Sequence, residues 1–447
     1  MSLQPCRLLI CLCLCLSGFG VSPQALELND ARHLSLRAAF GPNLMLINRF
    51  QALSREEMVT ELISADIAVF FAPMCASNIV VSASLMKSWS DVARVDYQKM
   101  KNLCNSELQE RASVSLIESP AVLRERMTLF WHNHFATAVT KVGQTSLLYQ
   151  QHSMLHRQSL GNFRVLLHSV LNDAAMLLYL DNANNSKHKP NENLARELLE
   201  LFTLGEGHYT ENDIKEVARA LTGQSVDRDN SFAVRFYPER HDYGAKTIFG
   251  ETGHYGVEGV AELILRQPQT ARFITRKLWL EFVSEPDEAT INRLASRFAK
   301  DWNIKALVRG ILLSDTFWKD QGRMIKSPVE LVIGAERLLP GQQVPPDAVA
   351  PLLSRLGQSL FNPPNVRGWP GGKDWIDSSR MMLRVNFADR LLRGLEQEAT
   401  PEELAFLCEG DGPARFAALP DLIEVDRSAP CMEQLSVVLT DPVWQLK

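Results

Sequence analysis

Apolar residues recur at helical spacing through most of this chain. Residues 30–40 and 54–63 both show it, and Ser54 ahead of Glu56 and Glu57 reads as a helix N-cap. Within 120–135, Met127, Phe130, Trp131 and His134 fall at i, i+3, i+4 and i+7, one face of a helix. Helical patterns follow at 159–171, 173–181 and 193–203, the last ending at Gly205. Thr210 with Asp213 has the form of a capping box, with Asp for the usual Glu. Ile214, Val217, Ala218 and Leu221 then form the apolar stripe of a helix that Gly223 stops. Further helices are predicted at 257–265, 269–283, 287–300, 304–313, 328–339, 347–356 and 384–392, with Gly394 as the last stop.

The period changes once. SFAVRFY (231–237) is rich in β-formers, and KTIFG (246–250) is a shorter run of the same kind. With PERHDYGA between them, they predict a β-hairpin inserted between helices. A loop with three Pro and three Gly, 362–375, precedes the last core helix. The expected fold is therefore mainly α: a multi-helical, bundle-like globular domain over 26–395 with one small hairpin at about 231–250. A C-terminal helical extension, 396–447, is expected to pack on the same domain.

Composition narrows the class. The 447 residues are 46 % hydrophobic and 22 % charged, which excludes a disordered or low-complexity chain. The length suffices for a large core without metal or disulfide staples. A net charge of -5 gives no reason to expect nucleic acid or an anionic membrane as partner.

The first 25 residues have the form of a secretory signal peptide. Arg7 is the only charge before Glu27, LLICLCLCL (8–16) is a short apolar run, and Ser17, Gly18 and Gly20 supply small residues. Cleavage is expected after Gly20 or Ala25. Ile10, Leu12 and Leu14 precede Cys11, Cys13 and Cys15, which disfavours lipidation. The run is far shorter than the ~20 residues of a membrane span, and no other segment reaches 18 apolar residues. The expected product is exported, to the periplasm or beyond the cell. It would keep Cys75, Cys104, Cys408 and Cys431, which allow three connectivities. The local pairing, Cys75–Cys104 and Cys408–Cys431, is preferred over four free thiols. No Cys-x-x-Cys spacing suggests zinc.

Several blocks together resemble a bacterial family catalogued as domain of unknown function 1800. They are ARHLSLRAAFGPN (31–43), MTLFWHNHFAT (127–137), PNENLARELLELFTLGEGHYTENDIKEVARALTG (190–223), HDYGAKTIFG (241–250), KSPVELV (326–332) and NPPNVRGWPGGKDW (362–375). They run in order over about 31–394. The resemblance implies export and a possible exported partner similar to sulfatases, whose genes often sit beside those of the family. It carries over no catalytic residues.

The chemistry must be read from the residues. His132 and His134 lie about 200° apart on a helix and cannot share one metal. The stripe puts His134 on the buried side. Around 191–200, Leu194, Leu198 and Leu201 mark the buried face and Arg196, Glu197 and Glu200 the other. That is either a solvated face with an Arg196–Glu200 pair, or a carboxylate cluster with Glu197 turned into a cleft. Asp181 and Glu192 stand at positions 1 and 12 of a calcium loop, but Ala183, Ser186, Lys187 and Lys189 break the pattern. Lys187 beside Asn191 could instead meet an anionic group. His241 and Asp242, with Lys246, suit acid/base or metal chemistry in a loop, or an ordinary turn. Trp369 and Trp375 bracket Gly371 and Gly372, as an aromatic wall for a sugar or as pins of a rigid loop. There is no Gly-x-Ser-x-Gly elbow, phosphate loop, His-Glu-x-x-His or haem motif.

Two functions follow. The first is a metal-dependent hydrolytic or oxidative enzyme. His134, Glu197 and His241 would hold a divalent metal, Glu197, His241, Asp242 and Lys246 would be catalytic, and Arg196, Lys187, Trp369 and Trp375 would meet substrate. The second is a non-catalytic exported protein, either a scaffold for the sulfatase-like partner or a glycan-binding module using the tryptophan loop.

Overall fold

Helices carry almost all the regular structure, in a computed structural model that describes residues 23–65, 86, 88–339, 344–410 and 412–447. The signal-like residues 1–22 and Cys75 lie outside the described residues. The helices that matter here are α1 (Pro23–Ala38), α2 (Asp91–Glu118), α3 (Val122–His134), α4 (Thr145–Gln158), α5 (Asn193–Glu197), α6 (Glu211–Ala220), α7 (Pro268–Phe282), α8 (Pro328–Leu338), α9 (Ser378–Glu398) and α10 (Cys431–Thr440). No described helix is long and apolar enough to cross a membrane.

The capping signals act as their chemistry requires. At the start of α6, Thr210 N–H donates to Asp213 Oδ2 at 2.8 Å, and Asp213 N–H donates to Thr210 Oγ1 at 3.1 Å. Two orphan donors of the first turn are thereby satisfied. Ser54–Glu57 and Ser327–Glu330 form the same box. The sequence pattern does not reveal α2. Of its 28 residues only Tyr97, Cys104, Leu108, Ala112, Ser113 and Leu116 are buried, while Val92, Val95 and Leu103 are exposed and blur the stripe.

The β-rich insertion departs from expectation. It holds two hairpins. Strand β1 (Gln224–Asp227) pairs antiparallel with β2 (Ala233–Phe236), with Val226 opposite Val234. Strand β3 (Lys246–Ile248) pairs antiparallel with β4 (Glu251–Gly253), with Thr247 opposite Thr252. The runs at 231–237 and 246–250 thus each pair with a nearer neighbour. The second hairpin closes through Phe249 and Gly250, both at positive φ, the form whose twist suits a two-residue turn. Local closure is cheaper than pairing across the intervening PERHDYGA loop.

One contiguous set of buried apolar side chains includes residues from Ala31 to Trp444, with Trp131, Phe202 and Trp279 fully covered. Helix α10 packs on α9 and shares that core. A disulfide joins Cys408 to Cys431. The other expected pair involves Cys75, outside the described residues.

Asp173 caps the helix Ala174–Tyr179 from a half-buried position. Its Oδ2 accepts Met176 N–H at 2.8 Å and Gln151 Nε2–H at 2.7 Å. Burial outweighs these bonds and pushes the carboxyl up to about 7. The folded state therefore holds this proton more tightly than the unfolded chain, whose Asp titrates near ~3.9. Stability falls as pH rises between those values and stays lowered above pH 7. Asp173→Asn keeps a capping oxygen and removes the ionisation. The variant should be more resistant to urea than the wild type at pH 8 and equal to it at pH 4. Equal midpoints at pH 8 would remove Asp173 as a source of that dependence.

Candidate functional site

Two contacts tie α3 to α7 and run antiparallel. Arg126 Nη2 meets Glu281 at 2.8 Å. One end further along, His134 Nδ1 accepts a hydrogen bond from Lys277 Nζ at 3.2 Å. The loop 362–375 lies over this pair of helices. Trp369 N–H donates to Asn133 Oδ1 at 2.6 Å, and Arg367 Nη2 reaches Glu200 at 2.9 Å. Gly368 makes the approach possible. At φ +88°, a Cβ there would stand 2.1 Å from Asn133 Oδ1 and 2.5 Å from the Asn133 carbonyl oxygen.

A cleft opens on each side of this loop. The first is about 400 Å³. Phe40, Phe130, Trp369 and Trp375 supply its aromatic walls. Arg126, Arg323, Lys373 and Lys447 supply cations, against the carboxylates of Glu281 and Glu330. Its floor is a buried ion cluster. Arg126 Nη1 lies 2.7 Å from Glu330, which also pairs with Lys447 and accepts Ser327 N–H at 2.7 Å. Burial alone would raise the Glu330 carboxyl, but Lys447 and Arg126 hold it far below the usual carboxylate range. Arg323 and Lys373 are exposed at the rim. The indole Nε1 of Trp369 is buried with no acceptor among the described residues. Buried indole N–H groups usually have one.

The second cleft, about 350 Å³, is lined by His134, Lys277, Phe273, Glu200, Glu206 and Arg367. Its geometry comes from the end of the helix that begins with α5. The sequence predicts one continuous helix over 193–203. The chain instead widens into a π turn over Leu198–Thr203, a form often found at functional sites. The carbonyls of the last turn need partners. Phe202 O accepts His134 Nε2–H at 3.0 Å, and Leu201 O accepts from Lys277 Nζ at 3.1 Å. Gly205, at φ +84°, completes the turn where a Cβ would stand 3.0 Å from the Phe273 ring.

The structure does not bring His134, Glu197 and His241 together as a metal centre. Among the described residues, no group of three or more His, Cys, Asp or Glu is placed to hold a metal. Both ring nitrogens of His134 are engaged, and burial followed by the Lys277 charge keeps it well below the usual histidine range. His241 donates from Nδ1 to Thr222 O at 2.8 Å and sits between the rings of Phe236 and Tyr243. Glu197 is half-buried, and its carboxyl is pushed up by burial and then by Glu200.

The expected acid/base loop is a braced turn. Asp242 makes a two-point contact with Arg219, at 2.7 and 3.2 Å, and accepts Gly244 N–H at 2.8 Å. Hydrogen bonding to Arg219 lowers its pKa. The buried Lys246 ammonium donates to the Asp242 and Gly244 carbonyls, the latter at 3.0 Å.

Arg196 does not pair with Glu200. It bonds Glu211 at 2.9 and 3.1 Å and Glu192 at 3.2 Å, while Glu200 takes Arg367 and the Tyr209 hydroxyl. Lys187 is exposed, with its backbone N–H on Arg240 O. Trp369 and Trp375 are 6 % and 4 % exposed. They pin the loop, and both also line the larger cleft.

Sequence reasoning missed Arg126, Lys277, Glu330 and Lys447. Arg126 had a usable signal, because it lies three residues after Leu123 and four before Phe130, a charge on an apolar face. Glu330 stood inside the KSPVELV block. Lys277 is one of several basic residues on α7, and nothing in the sequence sets it apart.

Residues 33–446 match the family described as Protein of unknown function (DUF1800), and the chain belongs to that family. None of the curated proteins and none of the solved structures compared with it matches.

Proposed function

We propose that this protein binds an anionic saccharide in the cleft beneath the tryptophan loop. The observation that carries this reading is the pairing, in one cleft of about 400 Å³, of aromatic walls with four cations against two carboxylates. That volume falls within the usual range of ligand pockets. Aromatic faces accept the apolar faces of sugar rings, and a rim of Arg323 and Lys373 selects for sulfate or carboxylate groups. The cluster of Arg126, Glu330 and Lys447 fixes the floor, so the cleft needs little reorganisation to bind. In this proposal the protein works outside the cytoplasm, on the strength of its signal-like first 25 residues. A sulfatase-like partner would act on the same class of ligand.

The test is tryptophan emission of the full chain during titration with neutral, sulfated and uronic-acid oligosaccharides of matched length. The expected result is a saturable change with the anionic sugars that weakens as salt rises. A panel without binding, or equal binding by neutral and anionic sugars, would overturn the reading.

A further inference from the structure

The second cleft offers chemistry that the saccharide reading does not use. Lys277 rises from α7 into a depression of about 350 Å³. Its Nζ has two acceptors, Leu201 O at 3.1 Å and His134 Nδ1 at 3.2 Å. The Nε2 of His134 donates to Phe202 O, which fixes Nδ1 as the acceptor. Among the described residues no carboxylate ion-pairs with Lys277. Glu200 and Glu206, on the same cleft, are both turned to Arg367, at 2.9 and 3.5 Å.

This arrangement fits an amine better than an ammonium. A neutral amine has two N–H donors and one lone pair. The two acceptors take both donors and leave the fourth direction of the tetrahedral nitrogen for the lone pair. An ammonium would carry a third proton, for which the described residues supply no nitrogen or oxygen acceptor; its one further neighbour is the Phe273 ring, with the centroid 5.1 Å from Nζ. The groups that face Nζ are the Arg367 guanidinium from the loop, the neutral His134 ring from α3, and the Glu200 and Glu206 carboxylates already tied to Arg367. Burial and then Arg367 lower the Lys277 ammonium to about 8.

We propose that Lys277 is a reactive amine that forms an imine with a small aldehyde or ketone entering this cleft. The nitrogen lone pair attacks the carbonyl carbon, and a proton moves from nitrogen to oxygen to give the carbinolamine. The C–O bond then breaks and the oxygen leaves as water, carrying both former amine protons, with the C=N bond formed in its place. No oxidant or metal enters the balance. Desolvated lysines are the usual nucleophiles of this reaction. Phe273 and Val366 bound a space for a short apolar chain, and Arg367 stands near for a ligand carboxylate.

The experiment treats the folded full chain with dilute acetaldehyde and cyanoborohydride at pH 8, then locates the N-ethyl-lysines by peptide mass spectrometry. Lys277 should be modified at least about tenfold faster than the exposed Lys373, in line with the pKa lowering and a Brønsted dependence. The advantage should vanish in urea, and Lys277→Arg should remove that adduct while leaving Lys373 modified. Modification of Lys277 at or below the rate of Lys373 in the folded protein overturns the proposal. So does an advantage that survives in urea, since it would then owe nothing to the cleft. Neither outcome depends on saccharide binding, which concerns the other side of the loop.

Discussion

Arg126→Met should lower the unfolding free energy by about 3–5 kcal/mol, the cost of removing one partner from a buried ion pair. The guanidinium is fully enclosed. It touches Glu330 at 2.7 Å and Glu281 at 2.8 Å, and lies over the rings of Phe40 and Phe282. Methionine fills much of the same volume, so the loss is electrostatic more than a cavity effect. Glu330 keeps Lys447 as a partner, whereas Glu281 is 28 % exposed and can turn to water. Those two facts place the expected loss in the lower half of the range. The urea midpoint reads it directly. Glu330→Gln added to Arg126→Met should deepen the loss, because the buried Lys447 ammonium then loses its carboxylate. A single variant with the wild-type midpoint would show that the cluster contributes nothing to holding α3, α7 and α8 together.

Gly368→Ala should be nearly as damaging, by a different cause. The new methyl would collide with the Asn133 carbonyl oxygen, a backbone atom in the last turn of α3 that cannot step aside. The positive φ adds its own strain of about 1 kcal/mol or more. The loop must lift, and Trp369 then loses both its burial and its backbone bond to Asn133. Exposing a buried tryptophan costs about 3 kcal/mol. The variant should show a lower urea midpoint and a red-shifted tryptophan emission, and it should lose saccharide binding together with the loop. Wild-type emission and stability would mean that the loop does not depend on this approach to α3.

The helical outline was readable because it rests on local signals. Thr210 and Asp213 form the capping box their spacing implies, and the stripe of Ile214, Val217 and Ala218 is buried. His132 and His134 face apart, as helical geometry requires: His132 meets His152 at 2.9 Å, while His134 meets Phe202 and Lys277. What failed needed information about partners that the local pattern does not carry. The strand run at 246–250 carries no mark of whether its partner precedes or follows it. Glu200 sits four residues from Arg196, yet Arg367 from the tryptophan loop takes it, and Arg196 turns to Glu211. The floor of the larger cleft joins Arg126, Glu330 and Lys447 from three distant segments. Periodicity shows which face is buried, but it does not name the charge that will meet another inside.

Calorimetric titration with a sulfated or uronic-acid tetrasaccharide reads out whether the tryptophan cleft holds an anionic saccharide. Wild type, Lys373→Ala and Arg323→Ala should be compared, since both replaced residues are exposed and neither should alter the fold. The wild type should show a single site, with a dissociation constant that rises with salt and rises again by several-fold in each variant. Absence of binding, or binding that both variants leave unchanged, would contradict a saccharide site in this cleft.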